Sequence, residues 1–244
     1  MNGSIQLANE SARKVFLLMF FAECLLVFFY WIDILSASPS PVLHALVDLD
    51  GEGNLPAWFS SFQLALISLS LWSWVLKHQK GEKPRQWFLM ILASAFLLWS
   101  ADETAMLHER ATALIGSRYV DWLPEYLLNH KLFIFAIAAI LFIALKILWN
   151  DLAALWRWHR HESVIALFGV AICFLGGAIL ETLGYKYFAN GVSPFLYQTE
   201  VCFEEFFEML GASFLLYASV SLATQKASRQ ATEKSQRLMQ SLNF

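Results

Sequence analysis

The sequence predicts an all-α protein, a polytopic membrane bundle of six transmembrane helices with both termini in the cytoplasm. Its composition is the first reason: 58% of the 244 residues are hydrophobic, whereas soluble domains are about 45–50% apolar. The second is that these residues form six runs, each long enough to cross a bilayer as a helix. The third is that most of the 17 Lys and Arg residues fall at the termini and in alternate loops. Because cytoplasmic segments carry such an excess, this pattern places the termini inside.

The six spans are separated by polar loops and belong to one domain. They cover about residues 15–35, 55–76, 86–107, 131–149, 163–188 and 200–222, within a transmembrane domain over residues 1–222. Residues 223–244 are predicted to form a basic cytoplasmic tail. The second span has the clearest beginning, since Asn54 followed by Pro56 is typical of an N-cap with a proline in the first helical turn.

The overall charge narrows the range of partners. A net charge of −3 gives no reason to expect a nucleic-acid partner. The cysteines Cys24, Cys173 and Cys202 lie inside apolar runs without paired spacing, so we expect them to serve in packing. The partners predicted instead are membrane lipid and a lipid or amphipathic substrate. The sequence leaves the oligomeric state open.

Acidic side chains concentrate at the outer ends of the third and sixth spans, in Ser100–Arg110 and Glu200–Gly211. An ionisable residue at the centre of a membrane helix costs on the order of 2.5–3.5 kcal/mol, so such a residue is a functional candidate by default. In the third span, Asp102 and Glu109 are predicted to share a face of one helix. In the sixth span, glutamates at i, i+4 and i, i+3 spacing form one ridge: Glu200, Glu204, Glu205 and Glu208.

The predicted orientation gives these acids a common depth. At about 1.5 Å of rise per residue, Asp102, Glu181 and Glu208 fall into one layer of the outer leaflet. Glu23, in the first span, lies deeper and nearer to the midplane. The inner leaflet is predicted to hold almost no comparable group. A polar path from the outer side would therefore end near the midplane.

Carboxylates at this spacing, about 5–6 Å between Cβ atoms, repel one another when all are ionised. Either bound divalent cations or protonation relieves that repulsion. Carboxylates with an imidazole on facing helices are the ligands of di-iron and di-manganese bundles and also suit zinc. We therefore predict one or more divalent metal ions, Fe, Mn or Zn, with these candidate ligands: Asp102, Glu103, His108, Glu109, Glu181, Glu204, Glu205 and Glu208. The alternative is a protonated carboxyl network that only fixes helix packing.

The leading functional hypothesis is a metal site in the extracytoplasmic leaflet that serves an enzyme, either a metal-dependent hydrolase or a di-metal oxidase or oxygenase. Metal ions in such sites activate water or dioxygen. Glu109 and Glu205 are the predicted catalytic residues, because a carboxylate left uncoordinated can act as a general base. Two other hypotheses stay open. One is a divalent-cation sensor, channel or proton-coupled transporter that uses the acids as a vestibule, and the other is a structural or assembly partner of a membrane complex.

The loop before the second span is acidic, with the sequence Asp48-Leu-Asp-Gly-Glu-Gly-Asn54. It matches the first half of a calcium-binding loop, but Phe59 stands where the bidentate glutamate is expected. We therefore expect either a lid or secondary cation site over the acidic cluster, or only a turn into the helix. Ser60, Ser61 and Gln63 are expected to donate hydrogen bonds to the site. Apart from His108, the histidines are given no ligand role.

Three segments carry a resemblance to a known family: Glu52-Gly-Asn-Leu-Pro-Ala-Trp-Phe-Ser-Ser61, then Asp102-Glu103 with His108-Glu109, then Glu204-Glu205-x-x-Glu208-Met-x-Gly211. Together they resemble a widespread family of six-span bacterial inner-membrane proteins. The resemblance implies a multi-pass location in the bacterial inner (plasma) membrane, and it brings no activity with it. A looser similarity is to the seven-span intramembrane zinc hydrolases of the alkaline ceramidase type. Those enzymes rely on several histidines with a Ser and an Asp, and here His108 is in place.

Overall fold

The computed structural model describes residues 2–38, 40–51, 53–79, 81–107, 110, 143, 146–184 and 193–242. Within these ranges all of the regular secondary structure is helical, as predicted. Side chains are described for the same residues except 2–8, 181 and 228–242. Most of the predicted fourth span, residues 131–149, lies outside the described residues.

Seven helices are defined in these ranges. They are α1 (Asn2–Leu35), α2 (Pro41–Val47), α3 (Leu55–Leu76), α4 (Gln86–Ala105), α5 (described over 146–158), α6 (Arg160–Phe174) and α7 (Pro194–Leu242). Helix α6 continues into a π-helix, Leu175–Leu180, and a last turn, Glu181–Leu183. The π-helix contains two adjacent glycines, which lower the cost of departing from α-helical geometry.

Five helices in the described ranges are long and apolar enough to cross a membrane. Their candidate spans are Asn9–Leu35, Leu55–Leu76, Gln86–Ala105, Arg160–Leu180 and Pro194–Ala227. These correspond to five of the six predicted spans. The sixth span, the cytoplasmic position of the termini and the domain boundary at residue 222 stay predictions.

The predicted start of the second span is confirmed. Asn54 has an extended backbone, and its Oδ1 accepts a hydrogen bond from the backbone N–H of Ala57 at 3.1 Å. Pro56 follows in the first turn, where its missing N–H costs nothing because helix-initiating N–H groups have no partner within the helix. The Asn54 side chain also donates to the carbonyls of Asp48 and Gly51, at 2.6 and 2.7 Å. One residue therefore fixes both the helix end and the acidic loop before it.

The third predicted span ends earlier than its apolar pattern suggests. Met106 adopts a left-handed backbone (φ 52°, ψ 43°) and caps α4, with its N–H bonded to the carbonyl of Asp102 at 2.7 Å. A left-handed residue interrupts the α-helical backbone and ends the helix. Glu109 lies outside the described residues, so the shared face of Asp102 and Glu109 stays a prediction. No glycine or proline marks this point in the sequence.

Helix α7 lies at the centre of the bundle. It packs against α1, α3 and α6, and α4 packs against α3. Of the most apolar stretch of α7, 61% is buried inside the protein, compared with 11% for α6. The core around it is aliphatic, with Leu64, Ile67, Leu89, Met209 and Leu216 among its buried members. Because α7 carries the acidic ridge, the ridge lies where helices from three directions meet.

Helices α6 and α7 cross at two glycines. A Cβ atom placed on Gly211 would lie 2.7 Å from both the carbonyl oxygen of Gly169 and the backbone N of Cys173. A Cβ on Gly169 would lie 2.8 Å from the carbonyl oxygen of Gly211. Small residues at such a crossing let two helix backbones come into direct contact. This close approach brings the end of α6 against the acidic part of α7.

A buried ion pair joins the start of α4 to α5. Asp151 is fully buried, and Arg85 donates to its carboxylate through its backbone N–H (2.8 Å), Nε (2.9 Å) and Nη2 (2.6 Å). Burial acts to raise the pKa of Asp151, but the hydrogen bonds and charge of Arg85 outweigh it and hold that pKa below its ordinary value. Asp151 lies beyond the predicted fourth span and anchors the helix that follows it.

This pair predicts how stability depends on pH. Because the folded pKa of Asp151 is depressed, its contribution is fully present above the unfolded pKa of about 3.9 and is lost as the pH falls through the folded value. We expect Asp151→Asn to lower the Tm at pH 7 by roughly 2–4 °C and to reduce the loss of Tm below pH 4. Thermal unfolding of detergent-solubilised protein between pH 3 and 7 measures both effects. An Asp151→Asn profile parallel to that of the wild type would contradict the role given to this carboxylate.

Candidate functional site

A cavity of about 680 Å³ lies between α3, α4, the π-helical end of α6 and α7. Four carboxylates line it: Glu103 from α4, and Glu204, Glu205 and Glu208 from α7. The rest of its wall is mainly apolar and aromatic, with Phe96, Trp99, Val170, Phe174 and Leu215. The cavity therefore combines a strongly acidic region with a surface suited to hydrocarbon. We call it the acidic cavity.

Helical spacing explains how α7 supplies three of these groups. Residues 204 and 208 are four apart and 205 and 208 are three apart, so their side chains leave the same side of the helix. Glu205 lies close enough to Glu208, Glu204 and Glu103 for their charges to act on it. Acidic side chains from two helices therefore line the same cavity.

The π-helical end of α6 forms the opposite wall. A Cβ atom on Gly176 would lie 2.7 Å from the carbonyl oxygen of Glu204, and one on Gly177 would collide with the Glu208 carboxylate. Only glycine lets the backbone approach the acids this closely. The adjacent glycines that widen the helix therefore also make room for the Glu208 side chain.

Two further contacts determine where the side chains of Glu103 and Glu200 lie. Trp99 donates from Nε1 to Oε1 of Glu103 at 3.1 Å, and the two residues are one turn apart on α4. Glu200 belongs to the predicted ridge but is buried beside Gly184, where a Cβ would lie 2.5 Å from both of its carboxylate oxygens. It does not line the acidic cavity. The ridge is thus divided between the cavity and a separate contact with the end of α6.

Some of the predicted metal ligands line the acidic cavity and others do not or lie outside the described residues. The structure brings Glu103, Glu204, Glu205 and Glu208 to one cavity. Asp102 is partly buried and is not among the residues that line it. His108, Glu109 and the side chain of Glu181 lie outside the described residues. In the part of the chain that the structure describes, no group of three or more His, Cys, Asp or Glu side chains is arranged to hold a metal ion.

The acidic loop is docked beside the ridge. Tyr197, one turn before Glu200 on α7, donates from its hydroxyl to Oδ2 of Asp50 at 2.8 Å. The backbone N–H of Asp50 is bonded to Oδ1 of Asp48 at 3.3 Å. The acidic loop therefore lies near the acids of α7. A lid over these acids was one of the alternatives expected for this loop. Ser60 lines the acidic cavity, whereas Ser61 is bonded to Ser100 of α4.

The buried carboxyl of Glu23 has hydrogen-bond partners that were not predicted from the sequence. Glu23 of α1 is fully buried, and its Oε1 accepts hydrogen bonds from Gln63 of α3 (2.9 Å) and Ser213 of α7 (2.5 Å). Gln63 also donates to the carbonyl of Met209 at 3.2 Å. Oε2 of Glu23 and Oε1 of Gln63 are buried and have no hydrogen-bond partner among the described residues. Gln63 was expected to serve the acidic cluster and instead binds Glu23.

A second buried carboxyl, on α6, is bonded to a part of α7 farther from the acidic cavity. Glu162 of α6 accepts hydrogen bonds from Gln225 (2.5 Å) and Ser221 (3.2 Å), and Ser221 is also 3.2 Å from Oδ1 of Asn9. Glu162 directly precedes the predicted fifth span, residues 163–188, so the expectation that the inner leaflet holds almost no comparable group stays a prediction. The sequence signal was present, since Ser221 and Gln225 are four apart within an apolar helix. Their partner on another helix could not be inferred from spacing.

Several helices that are long and apolar enough to cross a membrane are typical of a polytopic helical membrane protein. Within that class, the chain belongs to the family described as a domain of unknown function, DUF8692, whose model matches residues 17–222. Comparisons with curated proteins and with solved structures find no match. The matched range includes all four acids of the cavity and the buried residues Glu23 and Glu162.

Proposed function

We propose that the acidic cavity binds a divalent metal ion and that the protein is a metal-dependent enzyme acting on a lipid or other amphipathic substrate. The observation that carries this proposal is the convergence of Glu103 with Glu204, Glu205 and Glu208 on one cavity that is otherwise apolar. Carboxylate oxygens from two helices are the donor type of iron and manganese bundle sites. The remaining predicted ligands, Asp102, His108, Glu109 and Glu181, would complete the coordination.

In this proposal the residues of the acidic cavity have separate roles. When bound, a divalent ion would supply Lewis acidity for activating water or dioxygen. Glu205, or Glu109, would accept a proton as the general base, because several acids at one site need not all be ligands. Phe96, Phe174 and Leu215 would hold the apolar part of the substrate against the wall of the cavity. We place this site in the extracytoplasmic leaflet of a bacterial inner membrane.

Elemental analysis of full-length protein purified without chelators tests the proposal. We expect a transition metal at a fixed ratio to protein. A sample that holds no such metal, and takes up none of Fe, Mn or Zn on dialysis, would contradict both the metal site and the enzyme.

A proton-coupled transporter is the second candidate, and a specific observation favours it. The buried groups of Glu23 and Glu162 continue from the acidic cavity along α7, with Ser213 and Ser221 as their partners on that helix. These serines are eight residues apart, which is about 12 Å along the helix axis. Ionisable groups in series inside a membrane bundle are a common arrangement for proton relays. The unpartnered Oε2 of Glu23 is suited to binding a proton.

Proton uptake into proteoliposomes separates the two candidates. For a transporter, we expect Glu23→Gln to reduce the rate of proton uptake at least tenfold, because an amide cannot exchange the proton that a carboxyl carries. Glu10→Gln is the matched control, since Glu10 is exposed and, among the described residues, is paired with Lys14. Equal uptake by protein-containing and empty liposomes would exclude this candidate. If bound metal were also lacking, a structural or assembly role would be left.

A further inference from the structure

A second cavity lies at the other end of the bundle from the acidic loop. It has a volume of about 360 Å³ and is enclosed by the end of α3, the loop before α4, the turn between α5 and α6, and α7. Its lining includes Trp74, His78, Glu82, Lys83, Trp158 and Lys226. It is separate from the acidic cavity and shares no lining residue with it. We call it the basic cavity.

The charges of the basic cavity leave an excess of positive charge. Lys226 of α7 is bonded through Nζ to both carboxylate oxygens of Glu82. Burial acts to raise the pKa of Glu82, but the bonds from the Gln79 N–H and Lys226 hold it below its ordinary value, so Glu82 is ionised at neutral pH. Lys83 is exposed beside this pair, and its charge acts on the carboxyl of Asp151, but it forms no direct ion pair within the described residues. One ammonium group therefore faces the cavity without a bound carboxylate.

His78 provides an independent sign of a ligand. Its side chain is 4% exposed, and its Nδ1 is buried without a hydrogen-bond partner among the described residues. The nearest acidic atom, Oε2 of Glu82, is 3.6 Å away, which is too long for a good hydrogen bond. A buried ring nitrogen without a hydrogen-bond partner destabilises the folded protein. This nitrogen has almost no accessible surface, so a polar ligand in the cavity would satisfy it once the His78 ring or the Glu82 side chain turns.

Two tryptophans border the polar part of the basic cavity. Trp74 is 4% exposed and packs edge-on against the ring of His159, at 5.5 Å between ring centroids. Trp158 is 73% exposed at the rim. Tryptophan concentrates where membrane helices meet the headgroup layer, with its indole contacting both acyl chains and polar groups. The basic cavity thus lies at the end of the apolar spans and is open to that layer.

We propose that the basic cavity binds the phosphate of a phosphate-bearing ligand, with Lys83 and His78 as its donors and Glu82 holding Lys226 in place. Basic cavities between membrane helices, level with the headgroups, are suited to anionic lipid headgroups. Lysine recognises phosphate through charge-assisted hydrogen bonds. The same donors would accept free phosphate, so the shared chemistry is the phosphate group itself. This site is independent of the function proposed for the acidic cavity.

Titration of the full chain in a nonionic detergent tests the proposal. The probes are dihexanoyl phosphatidylglycerol, inorganic phosphate and phosphate-free dihexanoylglycerol, and the measurement is the Kd from isothermal calorimetry. We expect phosphatidylglycerol to bind and Lys83→Gln to weaken that binding about tenfold, through loss of a charge-assisted bond. Lys83→Arg should keep most of the affinity. Lys14→Gln is the control, because Lys14 is a 74% exposed lysine far from the cavity in sequence and paired with Glu10.

The three probes identify the source of the phosphate. Binding of phosphatidylglycerol alone supports a lipid headgroup, and binding of inorganic phosphate with similar affinity supports a free phosphate. His78→Gln provides a second variant, which should also weaken binding in either case. The proposal is overturned if neither phosphate-bearing probe binds, if dihexanoylglycerol binds as well as phosphatidylglycerol, or if Lys83→Gln binds like the wild type.

Discussion

Replacing Glu208 by glutamine should lower the metal bound per protein, with the affinity falling by at least about tenfold. Glu208 lines the acidic cavity between Glu204 and Glu205 on one side and the backbone of Gly177 on the other. Glutamine fills the same space and keeps that contact, but it removes the negative charge that a cation site needs. The measurement is elemental analysis of protein purified without chelators, together with the Kd for added Mn²⁺ or Zn²⁺.

The matched control for this experiment is Glu10→Gln, which removes an equal charge from an exposed ion pair on α1. Its metal content and its Tm should both equal those of the wild type, and the circular dichroism spectrum of Glu208→Gln shows whether that variant is folded. A Glu208→Gln protein that retains full metal content would show that the metal, if present, is bound elsewhere. A folded variant that loses the metal would identify the acidic cavity as the site.

Replacing Gly211 by alanine should destabilise the protein by about 1–3 kcal/mol, the usual cost of overpacking a closely packed interior. The added Cβ would meet the carbonyl oxygen of Gly169 and the backbone N of Cys173, both at 2.7 Å. Neither contact is with the end of a flexible side chain, so α6 and α7 must move apart. Unfolding of the purified protein, followed by circular dichroism against denaturant concentration, measures the loss.

This movement should also reach the site, because Cys173 and Gly177 of the displaced segment line the acidic cavity. We therefore expect Gly211→Ala to reduce metal binding as well as stability. Leu167→Ala is the control, since Leu167 lies on α6, the helix that Gly211 contacts, and its side chain is 61% exposed. Unchanged stability of Gly211→Ala beside an unchanged control would show that the two helices are not in direct backbone contact.

Local signals in the sequence were sufficient for much of the fold. The apolar runs predicted five of the helices, and Asn54 with Pro56 predicted where α3 begins, because an N-cap and a first-turn proline act within a few residues. The spacing of Glu204, Glu205 and Glu208 likewise placed three acids on one side of α7. In each case the cause and the effect lie within one or two turns of the same helix.

Features that depend on contacts between helices could not be predicted in this way. Met106 ends α4 with a left-handed backbone, although no glycine or proline marks this position in the sequence. The pairing of Gln63 with Glu23 joins residues 40 positions apart, and that of Gln225 with Glu162 joins residues 63 apart. Spacing within a helix gives no information about which neighbouring helix supplies a partner.

The length of α7 has a mechanical consequence. It runs without interruption through 49 residues, from Pro194 to Leu242, which is about 74 Å and more than twice the thickness of a bilayer's hydrocarbon layer. Beyond Gly211 it contains neither glycine nor proline, so it has no hinge of the usual kind. A tilt or rotation of the acidic end would therefore be transmitted as rigid-body motion to the far end. A ligand that binds at one end of the bundle would in this way change the position of the far end of α7 and affect any partner bound there.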